Sequence, residues 1–405
     1  MHRRNVALTI GAILLSSCGG SPSPFAPREA IDQLQLQTRS AFGDPLPGLA
    51  ADELALFQTG KDRFEEVEGI ADGLGPVFNE ASCVACHSGP VVGGSSARLE
   101  TRFGRRSDGG GFDPLLSEGG SLLQDHAIGA VSGFTYVPEV VPADANVTAH
   151  RRTTPLFGLG LVDATPDAEF RAIAAAQSRL AAEVAGTVAI VPNLFTGGSG
   201  VGKFGWKNQN PTLLQFSADA YLNEMGITSP KFPDESCPQG KCDQLTHNPR
   251  PDLNDADGAD VQAFADFMSF LAPPPRGPRT LRSVTGGGVF IAIGCAICHV
   301  PTLVTGSNAV RALHRVEYHP FSDFLLHDMG SLGDGIVQGA AGARQMRTAP
   351  LWGMRVAPSL LHDGSAATPS QAILAHDGQG RRARDRFAAL DAKKREALLA
   401  FLGTL

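Results

Sequence analysis

The chain has 405 residues and 42.4 kDa, two or three times a usual domain, so two core-forming units are expected. A 42% hydrophobic and 19% charged composition excludes a chain that is disordered as a whole, and a net charge of −7 argues against a nucleic-acid partner. If Arg3 and Arg4 leave with a signal peptide, basic residues fall from 34 to 32 against 41 acidic, giving −9. Gly 47 and Pro 28 beside Tyr 3 and Trp 2 describe a loop-rich protein whose helices enclose something other than aromatic side chains.

Residues 1–18 read as a bacterial lipoprotein signal. His2, Arg3 and Arg4 precede an apolar run from Val6 to Leu15, too short to span a bilayer. The run ends in Leu15-Ser16-Ser17-Cys18-Gly19, which is similar to a lipobox with Cys18 as the acylated residue; an ordinary signal peptide with an incidental cysteine is the alternative. Residues 19–27 (GGSPSPFAP) form a flexible tether, part of an arm over 19–45. No other stretch approaches 18 uninterrupted apolar residues, so the rest reads as a soluble body held to a membrane by lipid alone. The expected location is the periplasmic face, an oxidising compartment, with the outer membrane favoured because Gly19 is not aspartate.

Helices are predicted at Ala50–Glu66, Pro166–Val184, Thr212–Leu222, Val261–Leu271, Thr368–Ala375 and Ala392–Leu402, and the glycine-rich stretches 88–125 and 186–202 as loops. Cys83-Val84-Ala85-Cys86-His87 and Cys295-Ala296-Ile297-Cys298-His299 are two copies of C-x-x-C-H. Two thiols one helical turn apart can add across the two vinyl groups of a porphyrin, and the adjacent histidine then turns to one face of the iron. Two covalently bound haems c, with His87 and His299 as proximal ligands, are therefore expected. A pair of thioredoxin-like sites would leave both histidines unexplained, and zinc would need ligands gathered from both motifs. Cys237 and Cys242 (SCPQGKCD) remain for a short-loop disulfide, with a reactive dithiol as the alternative.

Arg151-Arg152-Thr153-Thr154-Pro155-Leu156-Phe157-Gly158 answers to Met346-Arg347-Thr348-Ala349-Pro350-Leu351-Trp352-Gly353, a weak internal duplication. With a break near 248–256 (NPRPDLNDA), this divides the chain into an N-terminal haem domain, 46–250, and a C-terminal one, 251–405. The segment 251–260 (PDLNDADGAD) resembles a calcium loop only loosely: it lacks the spacing and the twelfth-position glutamate, so calcium is possible but not supported.

The phrases VFNEASCVACH, TTPLFGLGLVDA, KFGWKNQNPTLLQ, NEMGITSP, GCAICHVPTL, LLHDMG, RTAPLWGMR, LHDGSA and AILAHDGQG together resemble the di-haem oxidoreductase family, itself similar to the bacterial di-haem cytochrome c peroxidases and MauG. The resemblance implies a mainly α fold of two cytochrome c-like haem domains in tandem, here with long glycine-rich loops. In the peroxidases an H-x-G turn precedes the axial ligand of the C-terminal haem. The corresponding turn is His362-Asp363-Gly364, and the ligand position falls on His376, giving a bis-His site with His299. His376 as a helix-end cap is the alternative, with His362, Met354 and Met329 as substitute ligands. For the N-terminal haem, Ser88–Gln124 contains no His or Met, so an open distal face is expected, although His126, His150 or Met225 could approach. The resemblance sets Gln215 and Glu224 there as positioning and acid–base groups, at spacings one residue shorter than the pattern, and Trp206 between the haems; structural roles are the alternative for all three.

These implications describe an oxidoreductase that takes electrons from a small periplasmic donor, such as a cytochrome or cupredoxin, and reduces a small oxidant such as hydrogen peroxide. The alternative is a non-catalytic electron-transfer lipoprotein serving a periplasmic redox or iron-acquisition system.

Overall fold

The computed structural model describes residues 40–405; the signal segment with Cys18 and the tether 19–27 lie outside them. In chain order the helices are α1 (Ala51–Glu65), α2 (Cys83–Cys86), α3 (Leu159–Asp163), α4 (Asp167–Leu180), α5 (Leu213–Met225), α6 (Ala259–Phe270), α7 (Leu281–Ala292), α8 (Pro369–Ala375), α9 (Arg381–Ala388) and α10 (Ala392–Leu402). The strands longer than two residues are β1 (Leu99–Arg106), β2 (Val147–Arg152), β3 (Ile190–Asn193), β4 (Gly198–Val201), β5 (Leu326–Asp328) and β6 (Gln345–Arg347). None of the described helices is long and apolar enough to cross a membrane.

α1 starts where the Glu53 carboxylate accepts from the Ala50 amide at 2.7 Å, and it buries Phe57, Gly60 and Phe64 on one face. That face lies on α6, and Gly60 permits the contact: a Cβ there would stand 2.2 Å from the Ala263 carbonyl oxygen. Asp255 accepts from the Asp260 and Val261 amides at the start of α6, so this part of the segment 251–260 serves as a helix cap. The packing therefore runs across the boundary drawn at 250/251, and the first unit takes its closing helix from beyond it. One core cluster joins α1, α5 and α6 through Phe57, Phe64, Tyr221, Phe264 and Phe267 and extends to Trp352.

A second cluster holds Phe290, Ile293, Phe321, Phe387, Leu398 and Leu402. Here α7 packs on α10, and a Cβ on Gly286 would fall 1.9 Å from the Ala397 carbonyl oxygen. The sequence reading omits α7 because Gly286-Gly287-Gly288 depresses helix propensity; the close approach of α10 requires the first of these. It also omits α9, whose sequence RRARDRFA buries only Phe387.

The two stretches assigned to loops each contain strands. β1 lies within 88–125 and pairs antiparallel with β2, from Leu99 opposite Arg152 to Gly104 opposite Val147. β3 and β4 form a hairpin within 186–202. The period of two in β1 is hidden because Glu100 and Arg102 occupy positions on one face that an ordinary core strand would fill with apolar residues.

Candidate functional site

The C-terminal centre begins at the end of α7. Gly294, at φ 97°, turns the chain out of the helix, and Cys295–Ile297 forms a single 3-10 turn leading to Cys298 and His299. The His299 Nδ1 hydrogen-bonds the Phe321 carbonyl at 3.0 Å, which leaves Nε2 directed away from the backbone. His376 closes α8, and its Nδ1 hydrogen-bonds the Ala372 carbonyl at 2.7 Å. The two rings lie with centroids 6.5 Å apart and planes inclined by 57°. Imidazoles on opposite sides of one metal, with metal–nitrogen bonds of about 2 Å, would have centroids roughly 6 Å apart. A backbone carbonyl on the second ring nitrogen is the usual support of a metal-binding histidine. Burial lowers the pKa of both, that of His299 to about 4, so each is a neutral ring at neutral pH with its proton on Nδ1 and an unprotonated Nε2.

His299, His376, Cys295 and Cys298 share a cavity of about 460 Å³. This lies within the ~300–1,000 Å³ of ordinary cofactor pockets, and the donor set suits a haem. His362, Met329 and Met354 also line the cavity, but the His362 ring lies against Trp206, at 6.2 Å between centroids.

The N-terminal centre has the same beginning and a different wall. α2 carries Cys83 and Cys86, and His87 follows with its Nδ1 on the Gly94 carbonyl at 3.1 Å and its pKa lowered by burial to about 4. These three line a second, smaller cavity of about 170 Å³, in which His87 is the histidine among the described residues. His126 and His150 are exposed, His126 stacked on Phe78 and His150 beside Thr101; Met225 and Met268 do line the cavity. Burial keeps the thiols of Cys83, Cys86 and Cys295 up at about 12, so none is a reactive thiolate at neutral pH. Cys237 and Cys242 are joined in a disulfide, remote from the lining of both cavities.

Glu224, near the end of α5, faces the second cavity and accepts from Asn79 Nδ2 at 2.7 Å. Beside it stands Glu100 of β1, held by Arg102 at 3.0 Å and by Arg151 at 3.6 Å. Burial, and then the charge of Glu100, raises the Glu224 pKa to about 7, while the two arginines hold Glu100 below the usual range. The pair thus holds one proton near neutral pH.

Gln215 does not join Glu224. Its side chain accepts from the Leu194 amide at 2.9 Å and donates to the Pro192 carbonyl and Asn210 Oδ1, fastening the β3–β4 hairpin to α5. Nine residues separate it from Glu224, two and a half turns at ~3.6 residues per turn, so the two lie on opposite faces of α5. The side-chain amides that line the cavity are Asn79, Gln209 and Asn223, and of these Gln209 has a buried Oε1 with no hydrogen-bond partner. Gln209 and Glu100 escaped the sequence reading; the available signal was their place in KFGWKNQNP and in the charged strand LETRFGRR.

Trp206 is buried and belongs to the lining of both cavities, as do Arg152, Thr154, Gly205 and Phe216. Its Nε1 donates to the Arg152 carbonyl at 2.9 Å, which fixes the indole in the partition.

A family model described as "Di-haem oxidoreductase, putative peroxidase" matches residues 125–405. Among solved structures, the chain is similar to hydrazine synthase of Kuenenia stuttgartiensis pressurized with xenon, at 13% identity and a TM-score of 0.39 over 98% of this chain and 100% of that one. It is also similar to a MauG-like protein associated with microbial copper homeostasis, at 14% identity and a TM-score of 0.39 over 91% of this chain and 93% of that one. No curated protein matches.

Proposed function

The chain belongs to the di-haem oxidoreductase family, and on that premise we propose that it receives electrons at the C-terminal centre and reduces hydrogen peroxide, or a similar small oxidant, at the N-terminal one. In this reading Cys83 and Cys86, and Cys295 and Cys298, would hold the two haems covalently as thioethers, with His87 as the iron ligand in the N-terminal centre and His299 and His376 as those in the C-terminal one. Haem iron supplies the one-electron steps and a coordination position that the protein fills or leaves to a small molecule.

The difference between the two cavities carries the reading: one has His299 and His376 with ring centroids 6.5 Å apart, the other a single histidine and a carboxylate pair with one proton to move. Reduction of peroxide to two waters consumes two electrons and two protons, and one proton must pass from one peroxide oxygen to the other. Glu224, poised near pH 7, takes that proton as a base and returns it as an acid. Gln209 accepts a hydrogen bond from the bound oxidant, the part the resemblance gave to Gln215. Trp206 divides the electron path into two shorter steps. Cys18 anchors the chain by lipid to the periplasmic face of a membrane, where a small cytochrome or cupredoxin supplies electrons.

Met225 and Met268 on the N-terminal cavity favour a second reading, in which a thioether fills the open position and the chain only carries electrons. Visible and electron paramagnetic resonance spectra of the purified holoprotein separate the two. A high-spin haem that binds cyanide, in the ferric or half-reduced state, supports the peroxidase. Two low-spin haems indifferent to cyanide in both states support the carrier.

A further inference from the structure

The repeated phrase Arg-Thr-x-Pro-Leu-aromatic-Gly plays no part in the function above, yet its two arginines meet at one residue. The Trp206 indole donates to the Arg152 carbonyl at 2.9 Å, and the Arg347 amide donates to the Trp206 carbonyl at 2.9 Å. The Arg347 guanidinium lies over the indole, 5.9 Å from its centroid, and its Nε donates to the Gly205 carbonyl at 2.9 Å. Arg152 and Arg347 are 8% and 6% exposed, and both line the cavity of His299 and His376; Arg152 lines the second cavity too.

A buried guanidinium ordinarily has an acid beside it. The neighbouring cations do: Arg151 and Lys207 both hold Asp334, at 2.7 and 2.8 Å, and Arg102 holds Glu100. Elsewhere on the larger cavity's wall, Arg382 holds Glu183 and Arg384 holds Asp377. Arg152 and Arg347 form no ion pair among the described residues; their guanidinium groups donate to backbone carbonyls, and the buried Arg152 Nε has no partner. Burial alone lowers the pKa of each, that of Arg347 to about 10. Two equivalent cations thus stand at the partition between the cavities with their anions missing from the polypeptide.

We propose that Arg152 and Arg347 bind the propionate carboxylates of the haems on either side of Trp206. The guanidinium fork matches a carboxylate with two parallel hydrogen bonds. Pairing also cancels two positive charges that would otherwise oppose removal of an electron from the indole. The inference rests on a haem at each Cys-x-x-Cys-His motif.

Redox titration of the holoprotein, followed in the visible spectrum, tests it. Arg347→Gln should move the oxidised-to-reduced ratio of the C-terminal haem about tenfold toward the oxidised form, about 59 mV for a one-electron couple, because an unopposed carboxylate favours ferric iron. Arg347→Lys should recover most of the shift, which a purely structural role would not do. Arg152→Gln should lower a haem potential in the same sense. Unshifted potentials in both glutamine variants, with haem content and spin state intact, overturn the proposal. If the variants do not fold, a crystal structure of the wild-type holoprotein decides: propionate oxygens about 2.7–2.9 Å from these guanidinium groups support it, and guanidinium groups that meet only protein carbonyls or water overturn it. A pyridine haemochrome count on the wild type separates failure of the haem placement from failure of the arginine assignment.

Discussion

In the N-terminal unit α1 precedes the first Cys-x-x-Cys-His motif and lies on α6 through Gly60; in the C-terminal unit α7 runs into the second motif and lies on α10 through Gly286. In both, the motif histidine gives its Nδ1 to a backbone carbonyl. The units part company at the opposite wall. α5 and β1 bring Glu224, Glu100 and Arg102 to the N-terminal cavity, whereas α8 brings His376 to the C-terminal one. The lesson is that the shared motif provides a thiol pair and one ligand, and the facing element decides what chemistry the centre can support.

The largest effect should come from the wall that is polar. Glu224→Gln should slow peroxide reduction by ~10²–10⁴-fold, measured in steady-state turnover, while the rate of reduction at the C-terminal haem stays unchanged. In the wild type, activity should rise as pH passes through about 7, where Glu224 becomes a base, and the variant should lose that rise. The stability dependence has the opposite sign. The folded state holds this proton more tightly than the unfolded chain, whose value is near 4.5, so Glu224 makes stability fall between about 4.5 and 7, and the variant should lack that slope. An unaltered activity profile would place the proton-moving group elsewhere.

The second prediction removes the histidine that distinguishes the other wall. His376→Ala should convert the C-terminal haem from low to high spin without altering the N-terminal signal, and His362→Ala should change neither. The reverse outcome in electron paramagnetic resonance would move the ligand to His362.

The smallest effect concerns the framework the units share. Gly60→Ala and Gly286→Ala each push a methyl group against a carbonyl of the facing helix and should destabilise by ~1–3 kcal/mol in thermal or denaturant unfolding. Gly286→Ala should disturb the C-terminal haem spectrum first, and Gly60→Ala the N-terminal one. Equal disturbance of both would show that the units unfold as one.

The thiol–histidine motifs, the helices with a clear apolar face and the helix from Thr368 that ends at His376 were legible in the chain itself, because each depends on groups within a few residues of one another. Tertiary packing decided the rest. α7 is helical despite three consecutive glycines because α10 needs Gly286, and β1 tolerates Glu100 and Arg102 on one face because they border a cavity. Gln215 and Glu224 are close in sequence, but half a turn of helix sends one to a hairpin and the other to the cavity. Trp206 became a partition only when residues 152, 206 and 347 met, since contacts across such separations depend on the folded path of the chain and leave no local periodicity to read.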